Sequence, residues 1–316
     1  MKWTLFVCFL VVLNTAGAKA YAVNQTLALA DSNQPLSAEE IATQVYFVDH
    51  FYSFENITMG YRSANDMLLL SYSDNDLKEI KSERMITHQP QNAMLKTQDL
   101  VIFKSGKLRG TGILVDDFQA GQSMQVRMWL PALRKIRRFS EPDQDDVWGG
   151  SQLSYGDLYL RRPEHETHQF VTPETAPDCL DDIRYFKVWA ADYQDYSFAN
   201  WCAVELQSSL FIKSTPVSDS PHYDYRIRMI NPLSFAEYQV KYFKNGSLVK
   251  RLQKNWHASG ENDRRALIWN FWTVLVFNQD KLVSQSVALL NDADYQWNQS
   301  LPPDLWSEAS LRKIRR

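Results

Sequence analysis

A strict period-two alternation along residues 223–229 constrains the fold more than any other feature of this chain. Apolar side chains fall on one side of an extended chain and polar ones on the other, which predicts an antiparallel strand with one buried and one solvated face. Residues 238–242 repeat the pattern, and Asn245-Gly246 then supplies a strong hairpin signal. The apolar set is Tyr223, Tyr225, Ile227 and Met229, and the polar set is Asp224, Arg226 and Arg228.

Further strands follow one another through short turns. Residues 109–116, 123–130 and 135–139 are predicted as strands, and residues 269–277 and 282–290 as another hairpin. Strands do not alternate with long helical patterns, so a parallel sheet is not indicated. The sequence therefore predicts a single antiparallel sheet.

One amphipathic helix is predicted over residues 38–50. Ser37 precedes it, and Glu40 stands three residues later, at the spacing of a capping box. Apolar residues at helical spacing, among them Ile41 and Val45, then fall on one face. We expect this helix to pack on the sheet.

The amino-terminal residues carry the pattern of an export signal. Lys2 gives a short positive start, residues 3–13 form an apolar run, and an Ala-Lys-Ala sequence ends at Ala20. The run is shorter than the about 20 residues that a membrane-spanning helix needs. We therefore predict a signal peptide over residues 1–20, cleaved after Ala20, in preference to a transmembrane anchor.

The rest of the chain is predicted to hold a flexible leader, residues 21–36, and one domain, residues 37–316. Removal of the signal peptide takes away Lys2 and Lys19, and the formal net charge moves from −3 to −5. This acidity argues against nucleic acid as a partner. Because Cys8 lies inside the apolar run, it is not expected to carry a lipid, and no stable membrane anchor is predicted.

Two cysteines, Cys179 and Cys202, remain in the predicted mature chain. An oxidising compartment would permit a disulfide between them. The alternative is that they are two unrelated small apolar residues. A possible disulfide is the favoured interpretation.

The sequence holds no strong motif for catalysis or for metal binding. His165 and His168 are three residues apart, whereas the zincin pattern needs two histidines four apart. A solvated polar loop is favoured here over a metal site. The chain has no nucleophile elbow, phosphate loop or dinucleotide fingerprint. We expect no catalytic residues, no metal and no cofactor, so the protein is predicted not to be an enzyme.

Arg134, Arg137 and Arg138 belong to a basic run at the predicted turn and strand over residues 131–139. One interpretation is the solvent face of a sheet, or a strand edge protected by charge. The other is a contact for an anionic lipid headgroup or for a partner protein. Both interpretations remain open on sequence alone.

Two motifs resemble the outer-membrane lipoprotein-sorting-like family. Residues 128–139, Met-Trp-Leu-Pro-Ala-Leu-Arg-Lys-Ile-Arg-Arg-Phe, are similar to its strand-turn-strand hallmark. Residues 149–158 follow at the family's expected distance, but Gln152 stands where an aspartate is common and Gly156 where an acidic residue is common. The matching positions are Trp129, Pro131, Leu133, Gly150, Ser151, Tyr155, Asp157 and Leu158.

The resemblance covers most of the chain from about residue 37 and implies a LolA-like α+β fold. Such a fold is a strongly curved, incompletely closed antiparallel sheet, a half-barrel, with helices on its concave side. The resemblance also implies a periplasmic location. The matching motifs do not include a ligand-binding residue that could be transferred to this chain.

The function implied by the resemblance is that of a periplasmic carrier or chaperone for the acyl chains of a lipid or lipoprotein. The alternative is a non-enzymatic accessory partner of a resistance-nodulation-division (RND) type membrane transporter, without its own cargo. An enzyme acting on lipids is a third, less favoured hypothesis. The carrier hypothesis predicts an apolar cavity larger than about 300 Å³ between sheet and helices.

Overall fold

The computed structural model describes residues 35–119, 122–140, 143–172, 209–218, 220 and 222–314. The described residues from Leu36 onward belong to one compact unit. The helices are α1 (Ala38–Asp49) and α2 (Glu308–Lys313), and the strands are β1 (Asn56–Met59), β2 (Met67–Ser73), β3 (Asp76–Thr87), β4 (Leu95–Phe103), β5 (Gly112–Phe118), β6 (Gln125–Leu130), β7 (Lys135–Ser140), β8 (Glu166–Phe170), β9 (Leu210–Pro216), β10 (Tyr225–Ile230), β11 (Glu237–Lys244), β12 (Ser247–Ala258), β13 (Leu267–Asn278), β14 (Lys281–Leu289) and β15 (Tyr295–Trp297).

All of these strands belong to one antiparallel sheet. Its order is β7-β6-β5-β4-β3-β2-β14-β13-β12-β11-β10-β9-β8, while β1 pairs with β3 and β15. Two meanders, one from each half of the chain, therefore meet where β2 pairs with β14. The sheet is open, and among the described strands β7 and β8 stand at the two ends of the order.

The sheet curves strongly around α1. Strands β5 and β8 are ten strand positions apart in the order, about 48 Å along a flat sheet. Arg162, just before β8, nevertheless pairs with Asp117 of β5 at 2.7 Å. Helix α1 contacts β8 on one side, and on the other its Tyr46 ring lies 5.0 Å from the Lys96 ammonium of β4. The predicted curved, incompletely closed antiparallel sheet is confirmed.

Helix α1 begins as its sequence predicts. The Ser37 side chain accepts a hydrogen bond from the Glu40 backbone, and the Glu40 carboxylate accepts one from the Ser37 backbone at 2.8 Å. Ile41 and Val45 are buried on the face that packs against the concave side of the sheet. The capping box and the amphipathic helix are both confirmed.

The opposite, convex face carries α2, which the sequence did not predict. Leu311 of α2 packs on a buried cluster that includes Leu100, Leu114 and Trp129. Gly112 makes this close approach possible, because a Cβ there would lie 2.4 Å from Ile314 Cδ1. The two helices thus lie on opposite faces of one sheet.

The predicted tight turns are present. Asn245 and Gly246 both have positive φ, 50° and 79°, as a type I′ hairpin requires. Gln279 and Asp280 turn in the same way between β13 and β14, with φ of 49° and 59°. Strands β1 to β4, β8, β9 and β15 were not predicted, because their residues do not alternate cleanly.

No helix in the described part of the chain is long and apolar enough to cross a membrane. The predicted signal peptide and almost all of the predicted leader lie outside the described residues, and so do Cys179 and Cys202. These remain predictions.

Candidate functional site

The polar side of β10 faces the inside of the molecule, contrary to the expectation of a solvated face. Arg226 and Arg228 are buried under α1, whereas Tyr225 and Ile227 are half-buried on the convex side. The alternation was predicted correctly and its orientation wrongly. The physical reason is that Glu166 and Glu237, on other strands, neutralise the two guanidinium groups.

Asp157 of the second family motif is at the centre of these buried charges. Its side chain is fully buried and pairs with the Lys250 ammonium and, at 3.4 Å, with Arg161. Tyr242 Oη donates to Asp157 Oδ1 at 3.0 Å, and the Ser154 backbone donates to Oδ2 at 2.8 Å. Burial would raise the pKa of Asp157, but the charges of Lys250 and Arg161 hold it well below its usual range.

Glu166 of β8 forms a bidentate ion pair with Arg226 of β10. Arg226 Nε lies 2.9 Å from Glu166 Oε1 and Nη2 lies 2.5 Å from Oε2, while Tyr223 Oη donates to Oε1 at 3.0 Å. Burial opposes ionisation of Glu166, but Arg226 dominates and holds its pKa at about 2. The ion pair joins β8 to β10.

A third group of charges binds α1 to the sheet. Lys254 of β12 lies 2.9 Å from Asp49 Oδ1, at the last residue of α1, and 3.4 Å from Glu237 Oε1. Arg228 also pairs with Glu237. We call the whole set the inner charge network: Asp49, Asp157, Arg161, Glu166, Arg226, Arg228, Glu237, Lys250 and Lys254.

The space between α1 and this network is small and polar. Its volume is about 30 Å³, room for about two waters, and charged side chains such as Asp157, Arg226 and Lys254 line it. Acyl chains cannot occupy such a space without stripping water or ionic partners from buried charges. The apolar cavity expected from the sequence is therefore absent beneath the described helix α1.

The buried carboxyl of Asp49 is expected to make the free energy of unfolding fall as pH rises. Burial raises its pKa to about 6, against the attraction of Lys254. A carboxyl with a raised folded-state pKa costs stability once it ionises, and this cost disappears as pH falls from about 6 to the ordinary value of 3.8. Asp49→Asn should therefore gain about 1–3 kcal/mol relative to wild type on going from about pH 4 to about pH 8.

Thermal unfolding of the two proteins at both pH values measures this gain. Asp304→Asn, at an exposed carboxyl that pairs only loosely with Lys313 (3.6 Å, both side chains at least 70% exposed), serves as the control. An Asp49→Asn variant that instead loses stability relative to wild type on going from about pH 4 to about pH 8 would show that the Lys254 ion pair outweighs burial.

A larger cavity lies at the β7 edge of the sheet. It has a volume of about 540 Å³, and we call it the edge cavity. Strand register places Val126, Met128 and Phe139 on the concave face, where their side chains form its apolar wall. Asp146 and Tyr155, from the segment that crosses the concave face, complete it. Among the described residues, its lining is Val126, Met128, Arg138, Phe139, Ser140, Asp146 and Tyr155.

The three candidate arginines are in different environments. Arg138 has its guanidinium 2.6 Å from Glu308 of α2, on the convex face, and it also lines the edge cavity. Arg137 is exposed on the concave face beside Met128 and two positions from Phe139. Arg134 is exposed in the turn at φ 48°. Among the described strands, β7 is the last at one end of the sheet order.

The family-motif residues are mostly structural. Ser151 is buried, and its hydroxyl donates to the Trp148 carbonyl at 2.7 Å. Gly150 provides a positive φ of 72° in the same turn. Leu158 is buried, while Pro131 is half-buried and Leu133 is 53% exposed at the β6–β7 turn. Tyr155 lines the edge cavity, and Asp157 lines the small polar space beneath α1.

His165 and His168 do not form the solvated loop that was expected. His168 is buried on β8, where Ser214 Oγ and the Pro163 carbonyl lie 2.9 and 3.0 Å from its ring nitrogens. Burial lowers the pKa of its imidazole. Among the described residues, no group of three or more His, Cys, Asp or Glu side chains could hold a metal ion.

Solved structures with the same fold exist at low sequence identity. A Vibrio parahaemolyticus domain assigned to outer membrane lipoprotein sorting is 14% identical, with a TM-score of 0.61 over 87% of this chain and 98% of that chain. A DUF1329 family protein from Desulfovibrio piger is 13% identical, with a TM-score of 0.60 over 87% and 99% of the two chains.

A LolA superfamily protein from Nitrosomonas europaea is 12% identical, with a TM-score of 0.50 over 87% of this chain and 99% of that chain. A family model described as "Uncharacterized protein" matches residues 96–197. No curated protein matches the sequence. The similar structures show that the chain has the LolA-like fold, in agreement with the family resemblance of its sequence motifs.

Proposed function

We propose that this chain is an exported, non-enzymatic carrier that binds acyl chains of a lipid or lipoprotein in the edge cavity and moves them through the periplasm between membranes. The observation that carries the proposal is the cavity of about 540 Å³ with Val126, Met128 and Phe139 along one wall. Its volume falls in the range of about 300–1,000 Å³ that is typical of ligand pockets.

The hydrophobic effect supplies the reason for a carrier. Each methylene group removed from water contributes about 0.8 kcal/mol, so acyl chains do not cross an aqueous compartment unshielded. A concave apolar wall at a sheet edge shields them without any chemical step. The similarity in fold to a domain assigned to lipoprotein sorting supports the same proposal.

The two halves of the concave face have different roles in this proposal. The half built from β8 to β12 holds the inner charge network, which fixes α1 in place. The half ending at β6 and β7 leaves the edge cavity open for cargo. The proposed periplasmic location depends on residues 1–20, whose pattern is that of a cleaved signal peptide.

The proposal is tested by placing a charge on the cavity wall. Phe139→Asp puts a carboxylate beside the bound chain and removes an aromatic contact, which is expected to weaken binding of a fluorescent fatty acid at least about tenfold. Phe139 is already 40% exposed, so the variant should fold. Lipid extracted from purified wild-type protein and identified by mass spectrometry gives an independent measurement.

Phe170→Asp is the matched control. Phe170 is also a half-exposed phenylalanine on an edge strand, but it lies on β8 and does not line the edge cavity. Equal loss in both variants would contradict the assignment of the cavity. Wild-type protein that carries no lipid and binds no fatty acid would contradict the carrier function and favour the accessory partner of an RND-type transporter.

A further inference from the structure

The β6–β7 hairpin, residues 125–140, is strongly basic. Between Phe118 and Ser140 there are five basic residues and no acidic one, although the whole chain has a formal net charge of −3. Such a local excess of one sign creates an attractive field for an anionic partner.

Protein carboxylates neutralise two of these five cations. Arg127 pairs with Asp116, and Arg138 pairs with Glu308. The other three, Arg134, Lys135 and Arg137, are exposed, and none of them forms an ion pair with a residue that the structure describes. They are concentrated at the turn end of the hairpin, whereas acidic residues resume only beyond its other end, at Glu141.

Apolar side chains are exposed beside these cations. Leu133 is 53% exposed at the turn, and Phe139 is 40% exposed on β7. Lys135, Arg137 and Phe139 share the concave face of β7, because they alternate along one strand. A row of two cations therefore leads, over about 14 Å, from the turn to the aromatic wall of the edge cavity.

We infer that the β6–β7 hairpin docks on the surface of an anionic lipid bilayer. Exposed cations beside exposed apolar side chains fit a headgroup layer, where the cations meet phosphate oxygens and Leu133 enters the acyl boundary. The docked hairpin would present the edge cavity to the bilayer. Docking does not require that the cavity hold cargo, so it is separable from the proposed carrier function.

Co-sedimentation of the full exported chain with lipid vesicles tests the inference. One vesicle contains phosphatidylglycerol in phosphatidylcholine, and the other contains phosphatidylcholine alone. We expect partitioning onto the anionic vesicle only, weakened by salt because exposed charges are screened. The triple variant R134Q/K135Q/R137Q should bind about 100-fold more weakly, at about 1 kcal/mol for each cation near an anionic surface.

A pair of neighbouring single variants gives the matched control. Arg137→Gln removes an unpaired cation of the concave face, and Arg138→Gln removes the same charge from a cation that is already paired with Glu308. We expect Arg137→Gln to weaken binding about fivefold and Arg138→Gln to change it less than about twofold. Leu133→Ser, at an exposed position, should weaken binding without changing its salt dependence.

Equal binding to both vesicles, no binding to either, or equal effects of Arg137→Gln and Arg138→Gln would overturn the inference. The hairpin would then be a contact for a protein or for a second copy of this chain. Fatty-acid binding measured on the same variants separates the two proposals. A hairpin variant that no longer binds vesicles but still binds fatty acid would bear on the docking proposal alone. Loss of fatty-acid binding in Phe139→Asp would bear on the carrier proposal alone.

Discussion

Asp157→Asn is expected to lower the free energy of unfolding by about 3–5 kcal/mol, because it removes one partner of a buried ion cluster. Lys250 and Arg161 both depend on this carboxylate, and Arg161 is buried with it. An asparagine leaves the Lys250 ammonium without the carboxylate it pairs with and leaves Arg161 with the contact to Asp145, at 3.4 Å, in a water-poor interior. Urea unfolding monitored by tryptophan fluorescence at neutral pH measures the loss.

Asp304→Asn provides the comparison for this prediction too. Its carboxylate is exposed and lies 3.6 Å from an exposed lysine, Lys313. We expect a change within about 0.5 kcal/mol there. A loss below about 1 kcal/mol in Asp157→Asn would show that water reaches the cluster and that Asp157 does not hold it together.

Glu166→Gln is expected to cost about 3 kcal/mol at neutral pH and progressively less in acid. The folded protein holds the pKa of Glu166 at about 2, against a usual value of 4.5. A depressed carboxyl pKa stabilises the fold above about pH 4.5, and this contribution is lost as pH falls towards 2. The stability curves of variant and wild type should therefore approach one another over that interval.

Chemical unfolding at several pH values between neutrality and about pH 2 measures this convergence. Glu79→Gln, at a half-exposed surface carboxyl 3.7 Å from Lys81, is the control and should differ little from wild type at any pH. A constant difference between Glu166→Gln and wild type at every pH would contradict the prediction. It would mean that ionisation of Glu166 does not contribute to the stability of the fold.

Local signals in the sequence predicted local structure well. Ser37 with Glu40 gave the start of α1, and Asn245 with Gly246 gave the β11–β12 turn, because each motif satisfies its own backbone requirements within a few residues. The antiparallel sheet followed from alternation. The motif around Trp129 pointed to the correct fold through family resemblance.

The orientation of β10 could not be predicted in the same way. Arg226 and Arg228 have the composition of a solvated face, and only their pairing with Glu166 and Glu237 makes burial possible. Glu166 is 60 residues away from Arg226 in sequence. A buried ion pair leaves no periodic signal in the sequence. The alternation therefore predicted which residues share a face of β10, but not which of the two faces is turned to the inside.

The edge cavity could not be predicted from sequence motifs either. Its walls come from β6, β7 and a crossing segment that contributes Asp146 and Tyr155, and no spacing in the sequence joins them. The resemblance implied a cavity under the helices, but charged residues such as Asp157 and Lys254 fill that place.

The pairing of β2 with β14 has a consequence for folding during synthesis of the chain. Strands β2 to β7 can pair with one another as soon as they emerge, but β2 keeps one open side until β14, almost the last strand, arrives. Open sides of strands promote association between chains, and β2 carries Leu68, Leu69 and Leu70. Nascent or truncated chains that end before Lys281 should therefore aggregate or need a chaperone that covers this side.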